Sequence, residues 1–272
     1  MVARNDKNYM NKLNNKLQQI KKDKKIGLMA HVVIGYPSLE ETISIVRAMA
    51  DVGVDIVELQ IPFSDPLADG PTIMKACEKS LEKGTKVKDA FVTMKQLSSE
   101  VSIPLLFMAY YNTVFVYGVE QFCRDAKDAG AIGLIVPDMP IDEENEEGFY
   151  AACKKYDLHA IHVISPASTD ERIQKNAEVA TGFIYATARQ GTTDAQQGID
   201  PQITSFLKRV KKYFTIPLAV GFGISNKERI HAIAEKADVA IIGSAVIDLL
   251  AKTPKTKRIE AVRRFFTELM VQ

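Results

Sequence analysis

Eight short apolar segments alternate with longer helical segments from Gly27 onward, and this alternation restricts the possible folds more than any other feature of the chain. The segments are mostly apolar and do not alternate regularly between apolar and polar residues, which is typical of parallel strands buried on both faces. The predicted strands span residues 28–34, 56–60, 105–109, 133–136, 160–164, 182–186, 218–220 and 239–242.

Helix-boundary residues lie between these strands. Residues 38–41 and 225–228 fit capping boxes, and Gly53 is expected to follow the end of a helix. Eight strand–helix units predict an α/β fold, a single (βα)8 TIM barrel with residues 1–272 as one domain. A doubly wound open sheet is the alternative, but its glycine-rich dinucleotide motif fails because Asn226 stands in place of the third glycine.

The composition is that of an ordinary globular protein, with 46% apolar and 25% charged residues, which excludes disorder, collagen and coiled coil for the whole chain. The net charge of 35 − 34 = +1 predicts neither nucleic acid nor an anionic membrane as a partner. No apolar run approaches the ~20 residues of a membrane span. The cysteines are expected to be reduced and buried on helices of a cytoplasmic protein; they are Cys77, Cys123 and Cys153.

Positive charge is concentrated at the start of the chain. Residues 1–25 contain eight Lys or Arg and two Asp, a net charge of 8 − 2 = +6 that leaves 1 − 6 = −5 for the remainder. Met10, Leu13, Leu17 and Ile20 recur at helical spacing. This pattern predicts a basic amphipathic helix packed on the domain. A nucleic-acid-binding or membrane-binding arm is the alternative.

The loop after the second strand contains the strongest catalytic candidates. Glu58 lies in an apolar strand, and burial of an inward-pointing carboxylate at a barrel mouth raises its pKa and suits it to acid–base catalysis. The alternative is a structural pair with a core Lys or Arg, but neither residue type occurs in the neighbouring strands. Asp65 or Asp69 could cap the helix that begins near Thr72, or Asp69 could face the site.

The loops after the seventh and eighth strands predict a phosphate site. Gly221 and Gly223 lead from the seventh strand towards a capped helix, and Gly243 and Ser244 lead from the eighth strand into another. Glycines let backbone N–H groups approach an anion, and phosphate sites in barrels commonly follow these two strands. Two tight turns that merely require small residues are the alternative.

Two further features concern the barrel mouth, and a third concerns metal binding. Residues 189–198 form a polar segment with internal glycines that is typical of a lid, although an ordinary surface loop has a similar composition. Tyr110 and Tyr185 end the third and sixth strands, where they either line an apolar substrate pocket or pack in the core. His159 and His162 lie three residues apart on a strand, hence on opposite faces, and do not form a metal-binding pair.

The residues alone therefore predict a barrel enzyme that uses acid–base chemistry on a phosphorylated, partly apolar small molecule. Neither a metal nor a redox cofactor is expected.

Residues 58–73, ELQIPFSDPLADGPTI, resemble the ELGxPFSDPxADGP motif of tryptophan synthase alpha subunits. Further matches follow in the same order over nearly the whole chain, at residues 35–37, 110–112, 136–140, 221–225 and 243–244.

This resemblance implies retro-aldol cleavage of indole-3-glycerol phosphate to indole and glyceraldehyde 3-phosphate, at the end of L-tryptophan biosynthesis. Glu58 then corresponds to the residue that protonates the indole ring carbon and assists removal of the glyceryl hydroxyl proton. Asp69 corresponds to the aspartate that stabilises positive charge at the indole N–H. The remaining implied substrate contacts are Tyr110 and Tyr185 in the indole pocket, Thr193 in the lid, and Phe222, Gly223, Gly243 and Ser244 around the phosphate.

The resemblance also implies a partner. Members of the family pass indole to a pyridoxal-phosphate-dependent beta subunit in an alpha2beta2 complex, and they carry no cofactor or metal themselves. The second loop and the region of the third strand would face that subunit. The N-terminal helix within residues 1–25 would cover the bottom of the barrel.

Four residues depart from the family pattern. Gln60 replaces a glycine next to the strand-2 acid, and His31, otherwise isolated in the sequence, replaces an aromatic residue on the first strand. Val33 replaces a threonine, and Asp194 replaces a lid glycine, so that a phosphate contact at Asp194 is not expected. Both acids are retained, which favours an active enzyme. The alternatives are a stand-alone indole-3-glycerol-phosphate lyase, a non-catalytic activator of the beta subunit, and another phosphate-binding barrel enzyme such as a sugar-phosphate isomerase.

Overall fold

Eight parallel strands form a closed barrel in the computed structural model, which describes residues 8–187, 201–221 and 223–270. Each strand pairs with its neighbour in chain order, and the eighth strand returns to the first. The predicted TIM barrel is therefore confirmed. The strands are β1 Gly27–Val33, β2 Ile56–Gln60, β3 Leu105–Met108, β4 Gly133–Ile135, β5 His159–Ile164, β6 Ile184–Thr187, β7 Leu218–Gly221 and β8 Val239–Ile242.

Helices surround the barrel in the described part of the chain. They are α1 Asn8–Lys22, α2 Leu39–Asp51, α3 Pro71–Glu82, α4 Val87–Glu100, α5 Tyr111–Tyr117, α6 Val119–Asp128, α7 Glu144–Glu147, α8 Phe149–Lys155, α9 Asp170–Val179, α10 Pro201–Lys211, α11 Lys227–Ala234, α12 Ser244–Lys252 and α13 Arg258–Met270. Two short 3-10 helices, Ile141–Glu143 and Lys255–Lys257, precede α7 and α13.

The predicted helix boundaries are confirmed in part. Ser38 caps α2, because its side chain accepts a hydrogen bond from the Glu41 backbone N–H. Gly53, one residue beyond the C-cap of α2, has a φ of +98°, a conformation that glycine adopts without strain. The prediction at 225–228 is wrong by one residue: Asn226 caps α11 and accepts from the Arg229 N–H, since Asn caps helices as well as Ser does.

The predicted N-terminal helix packs on the bottom of the barrel. Leu13, Leu17 and Ile20 of α1 are buried in the same apolar cluster as barrel-interior residues such as Met29 and Phe183. Gly27 and Gly182, which lie near the amino ends of β1 and β6, approach Ile20 and Leu13 closely. The apolar face of α1 therefore closes the end of the barrel opposite the predicted active site.

Part of the N-terminal positive charge is paired at this end. Asp55, directly before β2, is almost fully buried and accepts a hydrogen bond of 3.0 Å from the Leu28 backbone N–H. Its Oδ1 lies 3.3 Å from Lys16 Nζ and 3.6 Å from Lys25 Nζ. Two basic residues of the N-terminal segment thus pair with a buried carboxylate that links β1 to β2.

The cysteines lie on α3, α6 and α8, and all three are free and buried, as predicted. The Cys123 and Cys153 sulfurs are 3.9 Å apart, within hydrogen-bonding distance for thiols. His162 faces the surrounding helices and stacks on Tyr150, whereas His159 bonds Thr181 near the start of β6. Among the helices of the described residues, none is long and apolar enough to cross a membrane.

Candidate active site

Glu58 occupies the interior of the barrel in the middle of β2, with 1% of its surface exposed. In the β1–β2 register it lies beside His31, and paired residues on parallel strands project to the same face. His31 Nδ1 is 2.8 Å from Glu58 Oε1. His31, which is isolated in the sequence, is thus not isolated in the fold. Glu58 has a basic partner after all, an imidazole on the adjacent strand in place of a Lys or Arg.

The carboxylate controls the protonation of this histidine. Burial by itself lowers the pKa of His31, but the charge and hydrogen bond of Glu58, with a further contribution from the charge of Asp69, raise it above the usual range. A buried histidine beside an anion binds its proton more tightly than an imidazole in water does. The two side chains therefore form a coupled acid–base pair.

A third side chain approaches the same carboxylate oxygen. The Tyr185 hydroxyl, on β6 across the barrel, lies 3.3 Å from Glu58 Oε1 and donates to it. Burial and the charges of Glu58 and Asp69 hold the pKa of Tyr185 well above its usual value, so the hydroxyl keeps its proton. Glu58 Oε2 is buried and has no hydrogen-bond partner within the described residues. That oxygen is the one available to a ligand.

Asp69 does not cap a helix, and neither does Asp65. Gly70 is the N-cap of α3 and Pro71 is the first residue of the helix. Asp69 Oδ2 instead accepts a 2.6 Å hydrogen bond from Gln60 Nε2 and a 2.9 Å hydrogen bond from the Tyr110 hydroxyl. The loop thus turns Asp69 towards β2 and β3, as the second of the two alternatives predicted.

Tyr110 connects the second loop to the wall of the barrel. Its hydroxyl accepts from the Ala68 N–H at 3.0 Å, and its ring stacks on Phe63 with centroids 5.3 Å apart. Burial and the adjacent Asp69 charge raise the pKa of Tyr110, which keeps the phenol protonated as a donor to Asp69. Tyr111, by contrast, bonds Glu147 on α7 and Asp138 through its backbone, so it is directed away from Glu58.

The two predicted phosphate loops lie beside these side chains. A Cβ atom at Gly243 would be 3.6 Å from the His31 Cβ, and one at Gly221 would be 3.5 Å from the Tyr185 ring. Ser244 is the first residue of α12, and the first N–H groups of a helix have no acceptor within it. Gly223 has a φ of +63° in the turn that leads into α11. The arrangement brings these two turns, where a phosphate site was predicted, next to the His31–Glu58 pair.

Some predicted residues lie outside the described ranges. These are Phe222, Thr193, Asp194 and the remainder of the predicted lid at 189–198. Val33 is fully buried and pairs in register with Gln60. Within residues 8–187, 201–221 and 223–270, no group of three or more His, Cys, Asp or Glu side chains could hold a metal ion.

Three contacts of the site were missed by sequence reasoning. They are the His31–Glu58 pair, the Gln60–Asp69 hydrogen bond and the Phe63–Tyr110 stack. The first had a usable signal, because His31 and Glu58 occupy the middle of two consecutive predicted strands that pair in a barrel. The other two depend on the path of an irregular loop, for which the sequence contains no periodicity.

Comparisons with known proteins agree with this geometry. A family model described as "Tryptophan synthase alpha chain" matches residues 17–270. The tryptophan synthase alpha chain of Desulfotalea psychrophila is 46% identical over 234 residues, which cover 86% of this chain and 91% of the relative. That of Petrotoga mobilis is 38% identical over 94% of this chain and 99% of its own length.

Solved structures show the same likeness. A chain of tryptophan synthase from M. tuberculosis, in an aminoacrylate-bound form, superposes with a TM-score of 0.84 at 31% identity, covering 95% of this chain and 97% of that one. Tryptophan synthase subunit alpha from Legionella pneumophila superposes with a TM-score of 0.85 at 29% identity, covering 95% and 96%. The chain belongs to the tryptophan synthase alpha chain family.

Proposed function

We propose that this chain is a lyase that cleaves indole-3-glycerol phosphate to indole and glyceraldehyde 3-phosphate, as the alpha subunit of a tryptophan synthase. The observation that carries the proposal is the buried Glu58 carboxylate, whose Oε2 has no partner among the described residues while Oε1 is held by two side chains. A carboxyl group in this environment is positioned to exchange protons with a substrate.

The chemistry requires one proton to be added and one to be removed. Glu58 donates a proton to the ring carbon that bears the glyceryl chain, which breaks the aromaticity of the indole. The carboxylate then accepts the proton of the adjacent hydroxyl group while the carbon–carbon bond breaks. The bonding electron pair returns to the ring, so that indole and an aldehyde leave and Glu58 is protonated again.

Asp69 stabilises the charged intermediate. Ring protonation places positive charge on the indole nitrogen, and a carboxylate near the N–H lowers the energy of that state. Gln60 and Tyr110 both donate to Oδ2 of Asp69 and so fix the orientation of the carboxylate. Phe63, stacked on Tyr110, supplies an apolar surface next to it.

Backbone groups of the seventh and eighth loops bind the substrate phosphate in this proposal. The residues concerned are Gly223, Gly243 and Ser244, with the free N–H groups at the start of α12 directed at the anion. Phe222 adjoins them in sequence, and Thr193 remains the proposed lid contact. Proton transfer and anion binding account for the whole reaction, so the chain itself needs neither a metal nor a cofactor.

The proposed partner is a tryptophan synthase beta subunit that carries pyridoxal phosphate and receives the indole, in an alpha2beta2 complex. Exposed apolar side chains at the carboxyl end of the barrel support this assembly. Leu67 in the second loop is 81% exposed, and Phe115 and Val116 on α5 are 58% and 77% exposed. Exposed apolar side chains mark protein interfaces when they cluster, and these three lie in the loops that follow β2 and β3.

The decisive experiment is indole release from indole-3-glycerol phosphate by the purified chain, with and without its cognate beta subunit. We expect cleavage that increases when the beta subunit is added. Glu58→Gln and Asp69→Asn should each lower kcat by about 10²–10⁴-fold with circular dichroism unchanged. If both variants cleave at the wild-type rate, the catalytic assignment is wrong. If the purified chain releases indole rapidly by itself and the beta subunit does not change the rate, the chain is a stand-alone lyase.

A further inference from the structure

The acid of this site is not a single carboxyl group. Side chains of His31 and Glu58 face each other at 2.8 Å inside the barrel, and 3% and 1% of their surfaces are exposed. A carboxylate and an imidazole buried at hydrogen-bonding distance can hold one proton between them.

The two oxygens of Glu58 have different surroundings. Oε1 receives the hydrogen bonds of His31 and Tyr185, whereas Oε2 is buried without a partner in the described part of the chain. One oxygen thus faces the protein and the other is free for substrate. The carboxyl group thus lies between the imidazole that can hold a proton and the position at which a substrate would receive one.

We propose that His31 is a positioning residue that stores one exchangeable proton on the His31–Glu58 pair and thereby supplies the proton that Glu58 donates to the substrate. The inference rests on the proposed lyase function and deepens it. In a site without this histidine, Glu58 must itself be protonated before substrate arrives. Here the pair needs only one proton on either member, because a proton held on Nδ1 moves to the carboxylate before the ring carbon accepts it.

The cycle balances without any further reactant. The pair begins with one exchangeable proton, as imidazolium and carboxylate. His31 Nδ1 first transfers this proton to the Glu58 carboxylate, and the carboxyl group delivers it to the ring carbon, which leaves a neutral imidazole and a carboxylate with no exchangeable proton. The substrate hydroxyl then returns a proton to Glu58 as the carbon–carbon bond breaks and its electron pair returns to the ring. Indole and aldehyde leave, and the pair again carries one proton.

The charges around His31 favour this storage. Among the described residues, the ionisable groups that face it are Glu58 on β2, Asp69 in the following loop and Tyr185 on β6. The eighth loop contributes uncharged backbone at Gly243. The two carboxylate charges stabilise an imidazolium, whereas the Tyr185 phenol stays neutral, so His31 keeps its proton at a higher pH than burial alone would allow.

The test is the pH dependence of kcat for indole release in the wild type, His31→Phe and His31→Gln. At high pH the pair loses its proton and kcat falls, which defines the alkaline limb of the profile. The pair binds its proton at least as tightly as either member alone. Removing the imidazole should therefore move this limb to lower pH, by about one pH unit or more. Gln still donates to Glu58 Oε1 but does not titrate. Both variants should shift alike, and KM should change less than threefold. His231→Gln, at an exposed histidine on α11, is the matched control and should leave the limb unchanged.

A second readout does not depend on activity. The chain contains four histidines, so the imidazole titrations can be followed by NMR in histidine-labelled protein and assigned with the His31→Gln variant. We expect the His31 midpoint to lie above the ordinary value of about 6.5 and to fall in Glu58→Gln, because the partner charge is then lost.

The outcomes separate the two proposals. If the wild type releases no indole, the proposed function fails, and the NMR titration still reports on the pair. If the wild type releases indole but its alkaline limb is the same in His31→Phe and His31→Gln, proton storage is wrong. A shift in His31→Phe that His31→Gln restores to wild type also overturns it, because His31 would then only orient the carboxylate.

Discussion

At the scale of residues, two hydrogen bonds at the barrel mouth fix the orientation of the Asp69 carboxylate. Gln60 stands where the family has glycine, and its amide holds Asp69 at 2.6 Å. Tyr110, the N-cap residue of α5 just after β3, donates to the same oxygen, so Asp69 is fixed by donors from two different parts of the barrel mouth. A glycine at position 60 offers no such donor. This chain therefore orients its loop aspartate through a contact that the family motif does not contain.

Replacing these donors should reduce turnover. Gln60→Met keeps the size of the side chain and Tyr110→Phe keeps the ring, but each removes a hydrogen bond to a charged group worth about 1.5 kcal/mol. We expect kcat/KM for indole release to fall about tenfold in each variant. Gln121→Met, which removes a 2.7 Å Gln–Asp bond on the outer helix α6, is the control. Wild-type kcat/KM in the Gln60/Tyr110 double variant would show that Asp69 needs neither donor.

At the scale of elements, the side chains of α1 close the lower end of the barrel. A (βα)8 barrel is filled by residues from its own strands, and its lower end must be closed against water. Leu13, Leu17 and Ile20 supply that closure, and the small residues Gly27 and Gly182 let the helix approach the strand ends. Lys16 adds an ion pair to the buried Asp55. The helix α1 thus contributes side chains to the hydrophobic core and also shields the lower end of the barrel from solvent.

Shortening one of these side chains should destabilise the whole barrel. Leu13→Ala leaves a cavity at a fully buried site, and such substitutions cost about 2–5 kcal/mol. The free energy of unfolding, measured by urea denaturation, should fall by that amount. Gln18→Ala, on the exposed face of the same helix, should change it by less than about 0.5 kcal/mol. Equal effects of the two substitutions would contradict the packing of α1 into the core.

At the scale of the whole molecule, the catalytic mouth and the exposed apolar surface lie at the same end. Leu67 follows β2, and Phe115 and Val116 lie on α5, directly after β3. Their loops also contain Asp69 and adjoin Tyr110, which contact each other. A partner that covers this surface would therefore contact the loop that contains Asp69. Binding of the partner could then change the position of this carboxylate and hence the rate of the reaction.

Polar substitutions on α5 should weaken assembly without harming the isolated enzyme. Phe115→Ser and Val116→Ser together remove apolar area from the proposed interface, at residues that form no part of the acid–base site. We expect weaker binding to the cognate beta subunit in titration calorimetry, by tenfold or more, and loss of its stimulation of indole release. Val92→Ser, at a similarly exposed valine on the outer helix α4, is the control. Unchanged binding in the α5 variant would exclude this surface.

The sequence by itself determined the barrel, the order of its strands and the position of Glu58. Apolar runs of strand length recur through the chain, and backbone geometry then dictates parallel pairing and a functional end. Only the tertiary structure decided the partners of the acids. His31 meets Glu58 across a strand register, and Gln60 meets Asp69 across an irregular loop. The first contact depends on the exact register of two neighbouring strands and the second on the path of a loop without periodicity, so the folded chain was needed to establish both.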